Sequence, residues 1–475
     1  MRGLDRFYIG GEWVLPEPGA ALADVVDPAT GRRVAQVALG SAADVGKAVA
    51  AARAAFPAFS ALPILERAAL IRRVRDGCLA RAADLAAAIS QEMGAPLPFA
   101  GEVHVPGGIS HLEEILRVLD RFEWQRMQGT TLITKEAIGV VGMITPWNWP
   151  LNQTLCNIAP ALAAGCTMIL KPSELAPLSA ALLAEIMDEA GVPAGVFNLV
   201  NGDGPGVGAA LATHPGVDMI SFTGSTRAGV LVQKAAADTV KRVTLELGGK
   251  SANILLPDVD LRDAVAKGVA RCMANGGQSC NAPTRMLVPR DRLDEVRALA
   301  REAAEGIAVG DPSRPGAIGP LANRAQFLKV QDMISAAIAE GAEVVAGGTG
   351  RPPGLDHGYH ARPTILIAHP DMAIAREEVF GPVLTLLAYE DVEDAVRIAN
   401  DTIYGLAGYV AGRDGEEARR VAGQIRAGTV HVNYPARDPG APFGGFKQSG
   451  LGREWGEFGL EDFLEIKGIV GYGAP

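Results

Sequence analysis

Between residues 139 and 248 the sequence alternates short apolar runs with helix-like segments, and this alternation constrains the fold more than any other feature. Strand-like runs cover residues 140–145, 167–170, 197–200 and 219–222, and each is soon followed by Gly, Pro or Asn. Strands alternating with helices over such a length are typical of a parallel, doubly wound sheet. A second alternating region spans residues 261–433. We therefore predict an α/β fold with two such units.

The segments outside these regions predict further elements. An early hairpin is expected at residues 7–14, and the pattern predicts helices over 41–59, 65–93 and 106–124. The tail from 457 to 469 alternates apolar and polar residues, which predicts a strand that pairs outside its own domain.

Composition and charge argue against several classes of protein. The 475 residues carry a net charge of −10, which argues against a nucleic-acid-binding face. Five cysteines are too few for a disulfide framework and favour a reducing, cytoplasmic location. The absence of any stretch of about 20 apolar residues predicts no membrane span. His357 and His360 lie in a Gly- and Pro-rich loop without further ligands, so we expect no metal site.

The segment Gly-Gly-Gln-Ser-Cys-Asn-Ala-Pro, residues 276–283, places Cys280 in a turn between a predicted helix and a predicted strand. Such a turn can expose the sulfur and present a backbone N–H that stabilises negative charge on an attacked oxygen. This favours a nucleophile, although a single cysteine in a turn is more often inert.

Two further segments carry chemistry that a nucleophile needs. Glu246 ends an apolar run before Gly248 and Gly249, where burial should raise its pKa and suit it to activate water. It could equally be a structural carboxylate in the turn. Asn148 lies between Pro146 and Pro150 directly after a strand, at the sheet edge where α/β proteins bind ligands.

Gly224 and Ser225 follow a strand and open a helix, so backbone N–H groups and the helix dipole can receive a pyrophosphate there. The glycine-rich run at 202–208 also follows a strand, but it does not match the dinucleotide-binding fingerprint in register.

Seven short segments follow one another along the chain: Trp-Asn-Trp-Pro, Lys-Pro-Ser-Glu, Phe-Thr-Gly-Ser, Glu-Leu-Gly-Gly-Lys, Gly-Gln-Ser-Cys, Glu-Glu-Val-Phe-Gly-Pro and Pro-Phe-Gly-Gly-Phe-Lys. In sequence and in order they resemble the NAD(P)-dependent aldehyde dehydrogenase superfamily. The resemblance extends from residue 10 to residue 454. It implies a Rossmann-like cofactor domain, an α/β catalytic domain and a small β oligomerisation arm.

The resemblance implies a role for each candidate. Cys280 would attack the aldehyde, and the Asn148 side chain with the Cys280 backbone N–H would form the oxyanion hole. Glu246 would activate the water that hydrolyses a thioester to a carboxylic acid. The residues implied to bind the cofactor are Thr145, Trp147, Lys171, Glu174, Gly224, Ser225, Leu247, Glu378 and Phe380. A carboxylate at Glu174 favours NAD, with NADP possible.

The resemblance places substrate selection at a mouth lined by Trp149, Ser279, Asn281, Tyr434, Arg437, Phe443 and Trp455. The large aromatic residues favour an apolar or aromatic aldehyde. Arg437 leaves a second possibility, a semialdehyde whose distal carboxylate an arginine binds bidentately. An exposed arginine, or one paired with Asp438, would carry no such meaning.

The resemblance also implies a domain division. We expect residues 1–120 and 138–247 in the NAD-binding domain, and residues 248–448 in the catalytic domain. Residues 121–137 and 460–475 would form the arm that joins subunits into a homodimer or homotetramer.

Three other functions remain open from the residues. An acylating enzyme that passes the thioester to coenzyme A generally lacks the glutamate found at Glu246. A cysteine hydrolase would need a histidine partner, and none lies in a segment that pairs convincingly with Cys280. A non-catalytic binding protein on the same fold would usually have lost Cys280, Glu246 or Asn148.

Overall fold

The computed structural model describes residues 4–312 and 317–473. Their helices are α1 (Ala42–Ser60), α2 (Ile64–Ala80), α3 (Ala82–Met93), α4 (Leu97–Phe99), α5 (Val105–Leu119), α6 (Pro150–Ala164), α7 (Pro177–Glu189), α8 (Ala209–Thr213), α9 (Thr226–Ala237), α10 (Leu261–Met273), α11 (Leu293–Glu305), α12 (Arg324–Ala339), α13 (Ala373–Arg376), α14 (Val392–Asn400), α15 (Gly415–Ala422) and α16 (Gly456–Asp462). Their strands are β1 (Phe7–Ile9), β2 (Glu12–Val14), β3 (Leu22–Asp27), β4 (Arg32–Ala38), β5 (Gln125–Gln128), β6 (Thr131–Ala137), β7 (Val140–Ile144), β8 (Thr167–Lys171), β9 (Phe197–Leu199), β10 (Met219–Thr223), β11 (Arg242–Glu246), β12 (Ala252–Leu255), β13 (Arg285–Pro289), β14 (Ala308–Val309), β15 (Ala317–Ile318), β16 (Glu343–Ala346), β17 (Thr364–Ile367), β18 (Val383–Tyr389), β19 (Ala407–Ala411), β20 (Thr429–Val432), β21 (Gly450–Leu451) and β22 (Leu464–Ile469).

The first sheet has the strand order β2-β1-β9-β8-β7-β10-β11-β21. Its five central strands, β9, β8, β7, β10 and β11, run parallel, and antiparallel strands cover both edges. Among the parallel strands, β7 comes first in the sequence and lies in the middle of the sheet. Strands β8 and β9 follow on one side of β7, and β10 and β11 then follow on its other side. Ligands of doubly wound sheets bind beyond the carboxyl ends of the strands at such a reversal. The segments after β7 and β10 therefore lie where a sheet of this kind would bind a ligand.

Apolar residues on both faces of these strands explain the layered packing. Val141 and Met143 of β7 contribute to one core, whereas Val140 and Ile144 contribute to the core on the opposite face. Because successive strand residues point to opposite faces, an apolar run without alternation needs helices on both sides. This apolar pattern explains why helices cover both faces of the first sheet, as the alternation of strands and helices predicted.

The second sheet has the order β16-β17-β18-β13-β12-β19-β20, and all neighbours except β16 and β17 pair in parallel. Helix α10 precedes the loop that carries Cys280, and β13 follows that loop. The two sheets confirm the predicted α/β class.

A separate antiparallel sheet is formed by β5, β6 and β22. Strand β22 pairs with β6 over its whole length, from Leu464 opposite Ala137 to Ile469 opposite Leu132. The predicted tail strand is thus present, but residues 456–462 form helix α16 instead. The termini of the predicted domain ranges, 1–3 and 474–475, lie outside the described residues.

The other local predictions have mixed outcomes. The hairpin is confirmed as β1 and β2, and α1 begins as predicted with a capping box between Ser41 and Asp44. The predicted helix over 65–93 is two helices that change direction at Arg81, where the backbone leaves helical geometry without Gly or Pro. The helix predicted to reach residue 124 ends at Leu119. Among the described residues, no helix is long and apolar enough to span a bilayer.

Candidate active site

Three loops meet at one place between the two sheets. The Asn148 side-chain amide, after β7, donates to the backbone carbonyl of Gln278 at 3.0 Å. The Trp149 indole N–H donates to the Ser279 hydroxyl at 2.9 Å. The third loop follows β11, where a Cβ on Gly249 would lie 2.5 Å from the Cys280 carbonyl oxygen. The structure therefore brings the predicted oxyanion donor, the predicted nucleophile and its neighbouring residue together.

The Asn148 amide is held in one orientation. Its nitrogen carries two hydrogens, and the bond to Gln278 uses one of them. Because Asn148 is buried, the other hydrogen is kept from bulk water. A fixed, desolvated donor of this kind suits an oxygen that becomes negative during a reaction.

Glycines shape the Cys280 loop. Gly277 has φ +71°, and a Cβ there would lie 2.0 Å from the Gly381 carbonyl oxygen, so only glycine fits. Cys280 itself is half-buried. Burial and the negative charges of Glu246 and Glu378 raise the pKa of its thiol well above the ordinary value. The resting sulfur is therefore a thiol, and it needs a base or a compensating charge to become a thiolate.

Glu246 ends β11 with its side chain almost fully buried, and neither carboxylate oxygen has a hydrogen-bond partner among the described residues. Burial, followed by the charge of Glu454, raises its pKa well above the ordinary value. Gly444 makes room for it, because a Cβ there would lie 2.6 Å from Oε1. A buried, unpartnered carboxyl group with a raised pKa is suited to accept and release a proton during a reaction.

Sequence reasoning missed Glu454, a second buried carboxylate beside Glu246. It accepts hydrogen bonds from the Cys156 thiol at 3.4 Å and from the Asn157 amide at 3.2 Å. Burial raises the pKa of Glu454 to about 7. The Gly-Arg-Glu segment that contains it gave no signal of burial, since charged residues beside glycine usually read as a surface turn.

The predicted adenosine side of the crevice contains a buried cation. Lys171 at the end of β8 is buried, which lowers its pKa, and its ammonium lies 3.5 Å from Glu174. Thr145 lies beside them, because its N–H donates to the Lys171 carbonyl. A fixed ammonium and a partly exposed carboxylate can together bind the hydroxyls of a ribose.

The predicted pyrophosphate segment starts helix α9. Ser225 caps this helix by accepting from the Ala228 N–H, and the Gly224 N–H donates to the Glu246 carbonyl. A Cβ on Gly229 would lie 2.5 Å from a Leu247 methyl group, so the helix packs closely against the strand that carries Glu246. The open N–H groups of this first turn suit an anion.

The predicted nicotinamide residues border the Cys280 loop. The Glu378 carboxylate accepts from the Gly249 N–H at 3.0 Å. Phe380 has φ +58°, and its ring meets the Trp147 indole edge to face at 5.5 Å. The residues after β8 and at the start of α9 follow strands of the first sheet, at the edge where doubly wound sheets bind ligands.

Among the predicted mouth residues, Arg437, Phe443 and Trp455 form one cluster. The Phe443 and Trp455 rings stack at 4.5 Å, and the Arg437 guanidinium lies 4.7 Å from the centre of the Trp455 ring. Arg437 does not pair with Asp438. It donates instead to the Gly107 carbonyl and the Asn152 side chain, at 3.1 and 2.9 Å.

Tyr434 and Asn281 lie apart from this cluster. The Tyr434 hydroxyl bonds to the Asn253 side chain and donates to the Ala264 carbonyl, so this ring points into the second sheet's core. The Asn281 carbonyl accepts from the Tyr409 hydroxyl. Within the described residues, no group of three or more His, Cys, Asp or Glu side chains could hold a metal ion.

Asn152 and His111 were also missed. The His111 imidazole contacts both the Asn152 oxygen, at 3.0 Å, and the Arg437 guanidinium, at 2.9 Å. A usable signal existed for Asn152, because it lies in the first turn of α6, directly after the turn that carries Asn148. His111 gave no comparable signal, because its partners come from distant segments.

Comparisons with known proteins agree with this arrangement. The sequence model of the Aldehyde dehydrogenase family matches residues 13–469. A Pseudomonas protein named 3-succinoylsemialdehyde-pyridine dehydrogenase is 55% identical over 475 residues, which cover 99% of each chain.

Solved structures agree as well. A cysteine-to-alanine mutant of aldehyde dehydrogenase C from Pseudomonas syringae, in complex with NAD+ and octanal, matches with a TM-score of 0.98 and 54% identity, over 99% of this chain and 98% of that one. A point mutant of betaine aldehyde dehydrogenase from Staphylococcus aureus, in complex with NAD+, matches with a TM-score of 0.96 and 34% identity, over 100% of this chain and 98% of that one. The chain belongs to the aldehyde dehydrogenase family.

Proposed function

We propose that this chain oxidises an apolar or aromatic aldehyde to a carboxylic acid, with Cys280 as nucleophile and NAD as the hydride acceptor. The observation that carries the proposal is the junction of Asn148, Gln278 and Cys280, because it sets a fixed amide donor beside a cysteine loop. Family membership supports the overall reaction, and the geometry supports the assignment of roles.

In the first half of the reaction, the Cys280 sulfur adds to the aldehyde carbon. The carbonyl oxygen becomes negative, and the free Asn148 N–H and the Cys280 backbone N–H stabilise it. Because burial raises the pKa of the thiol, its proton must leave as the sulfur attacks, and the half-buried position of Cys280 lets that proton pass to solvent water. NAD, when bound, supplies the ring that accepts hydride from this adduct.

In the second half, a thioester on Cys280 is hydrolysed. Glu246, as a carboxylate, takes a proton from water, and the resulting hydroxide attacks the thioester carbon. The Cys280 sulfur leaves with the electrons of the C–S bond, and the acid is released. Glu246 is suited to this step because its two oxygens are free of other hydrogen bonds.

The residues around Lys171 and Glu174 would hold the adenosine ribose, and those around Gly224 and Ser225 the pyrophosphate. Leu247, Glu378 and the Trp147–Phe380 pair would bind the nicotinamide end. A carboxylate at Glu174 accepts from a free 2′-hydroxyl and repels a 2′-phosphate, which favours NAD over NADP.

The decisive experiment measures NADH formation across a panel of aldehydes, with Cys280→Ala as the control. We expect turnover with alkyl or aromatic aldehydes and none above background in Cys280→Ala. Activity that survives in Cys280→Ala would remove the thioester route. Octanal, which is bound in the Pseudomonas syringae relative, supports an apolar substrate, and the name of the Pseudomonas relative combines a pyridine with a semialdehyde, which is in line with either candidate.

A second candidate, a semialdehyde with a distal carboxylate, is favoured by the surroundings of Arg437. Its partners are a backbone carbonyl, the Asn152 amide and a histidine, His111, whose pKa burial lowers to about 3. All three are neutral, so no carboxylate among the described residues compensates the guanidinium. A substrate carboxylate could do so with charge-assisted hydrogen bonds.

Comparing an alkanal with a dicarboxylic semialdehyde of equal length separates these candidates. Loss of the semialdehyde preference in Arg437→Ala, with alkanal turnover retained, would establish the second candidate. Arg351→Met is a matched control, because Arg351 also stacks on an aromatic ring, Phe327, and bonds to a backbone carbonyl. If the wild type and Arg437→Ala both oxidise the two substrates equally well, the second candidate is excluded and the apolar aldehyde remains the proposed substrate.

We further propose the domain division given above and a homodimer or homotetramer in the cytoplasm. The sheet of β5, β6 and β22 supports an oligomer, because β22 pairs on one side only and carries an exposed Ile466. An unpaired strand edge with exposed apolar side chains is suited to association with a second copy. Sedimentation of the wild type and of Ile466→Lys tests this, and an unchanged mass would contradict it.

A further inference from the structure

His104 is a buried histidine beside the candidate active site that the proposed reaction does not use. It ends a short π-helical segment, Ala100–His104, which leads into α5. Its imidazole stacks on the Trp149 indole at 4.1 Å, and Phe99 meets it edge to face at 5.3 Å. Single π-helical turns inside helices are frequent at functional sites, since they redirect one side chain.

The hydrogen bond of His104 identifies its tautomer. Its Nε2 lies 3.2 Å from Oδ1 of Asn275. The Asn275 amide nitrogen donates to the Asn148 carbonyl at 2.9 Å, which fixes Oδ1 as an acceptor. Nε2 of His104 must therefore carry the hydrogen. Burial lowers the pKa of His104 to about 3, so the ring is neutral throughout the working pH range.

Asn275 transmits this contact to the oxyanion donor. Its backbone has φ +55°, and its side-chain amide reaches the carbonyls of Asn148 and Gln278. The Gln278 side chain returns a bond to the Asn275 carbonyl at 3.0 Å, and the Asn148 amide donates to the Gln278 carbonyl. These side chains are all buried. A displacement of Asn275 therefore displaces the donor and the loop together.

The stacking contact gives His104 a second connection to the same loop. Trp149 follows Asn148 directly, and its indole N–H holds the hydroxyl of Ser279, the residue before Cys280. One imidazole thus fixes both sides of the junction, through a hydrogen bond on its edge and a ring contact on its face.

We propose that His104 is a positioning residue that holds the Asn148 amide and the Cys280 loop in their reactive arrangement and transfers no proton. This inference rests on the proposed function, in which that arrangement stabilises the oxyanion. A displacement of about 1 Å in such a geometry can cost roughly 10²-fold in rate.

Two variants separate the two contacts. His104→Phe keeps a ring against Trp149 and removes the N–H, whereas His104→Gln keeps an N–H donor and removes the ring. We expect kcat to fall at least about tenfold in His104→Phe, with the KM for aldehyde and the Kd for NAD nearly unchanged. His104→Gln should retain more of kcat than His104→Phe, because the hydrogen bond to Asn275 is preserved.

The pH profile distinguishes positioning from proton transfer. Since the ring is neutral, each variant should lower kcat by its own constant factor at every pH and keep the shape of the wild-type profile. Loss of one limb of the profile would overturn the inference, as would wild-type kcat in His104→Phe. His360→Phe is the matched control, because His360 is equally buried and also has an unpartnered Nδ1, outside this network.

A measurement without substrate keeps this inference separate from the proposed function. Hydrogen–deuterium exchange at residues 275–281 should rise in His104→Phe and stay at the wild-type level in His360→Phe. If the wild type oxidises no aldehyde, the proposed function fails while the exchange result still tests the positioning. Unchanged exchange in His104→Phe would overturn the positioning even in an active enzyme.

Discussion

Replacing Glu246 by glutamine should separate the two halves of the proposed reaction. Both Glu246 oxygens lack partners, so an amide of the same size leaves the packing and the hydrogen bonds of the fold as they are. Addition of Cys280 to the aldehyde and loss of hydride can proceed once in Glu246→Gln. Hydrolysis of the thioester then lacks its base.

The expected magnitude follows from the role assigned to the carboxylate. A positioned general base contributes roughly 10²–10⁴ in rate, or about 3–5 kcal/mol of barrier. Steady-state NADH formation by Glu246→Gln should fall by that factor. The first turnover should survive, so stopped-flow absorbance should show a burst whose amplitude equals the concentration of active sites.

The same substitution should make Cys280 more reactive. The negative charge of Glu246 raises the pKa of the thiol, and glutamine removes it. Below its pKa, a thiol gains about tenfold in thiolate for each unit by which the pKa falls. Alkylation of Glu246→Gln by iodoacetamide should therefore exceed wild type at pH values above the raised pKa of Glu246. At lower pH the wild-type carboxyl is neutral, and the two rates should converge.

The two expected effects have opposite signs, because turnover of Glu246→Gln should fall while alkylation of its Cys280 should become faster. Glu416→Gln is the control, because Glu416 is exposed on α15. Wild-type turnover in Glu246→Gln without a burst would refute the general-base role. Slower alkylation of Glu246→Gln at high pH would refute the electrostatic coupling to Cys280, even if turnover fell as expected.

Three further substitutions test other parts of the site and fold. Asn148→Ala should lose about 10²–10³ in kcat while the Kd for NAD, measured by fluorescence titration, stays the same, and an unchanged kcat would remove this amide from the mechanism. Gly444→Ala should abolish most turnover, because the new methyl group would lie 2.6 Å from Oε1 of Glu246 at a φ of +152°; activity near wild type would show that the loop yields freely. Ser41→Ala removes the cap of α1 and should lower the free energy of unfolding by about 1 kcal/mol without affecting turnover, as chemical denaturation and the aldehyde assay would show.

The regular elements of the first sheet were predictable because their signals are local. Four of the five central strands, β7, β8, β9 and β10, are largely apolar runs that end near Gly, Pro or Asn, and these are residues that terminate strands. The strand order was not predictable in detail, since it depends on which side each crossover takes. The break at Arg81 was hidden for a different reason: α2 and α3 are both rich in the helix formers Ala and Leu, and no Gly or Pro separates them.

The candidate site shows the same division between local and distant causes. Asn148 and Cys280 could be identified because unusual turns surround them, and the residues that specify a turn are adjacent in the sequence. Glu454 was missed because its burial comes from Cys156 and Asn157, nearly 300 positions away. His104 was missed because its partner Asn275 lies 171 positions away. A titratable residue acquires its altered pKa only when such segments pack together.

Arg437 shows how this division bears on the substrate. From the sequence alone, the only visible partner for Arg437 is a neighbour such as Asp438. In the fold, Asp438 instead accepts a hydrogen bond from the Gly440 N–H, and Arg437 donates to the side-chain oxygen of Asn152, 285 positions away. The guanidinium is thereby fixed against Trp455 without a compensating charge. An alkyl chain gains only contact area from such a group, whereas a carboxylate or carbonyl oxygen gains charge-assisted hydrogen bonds. The choice between the two substrate classes therefore depends on Arg437 more than on the aromatic rings, which accept either.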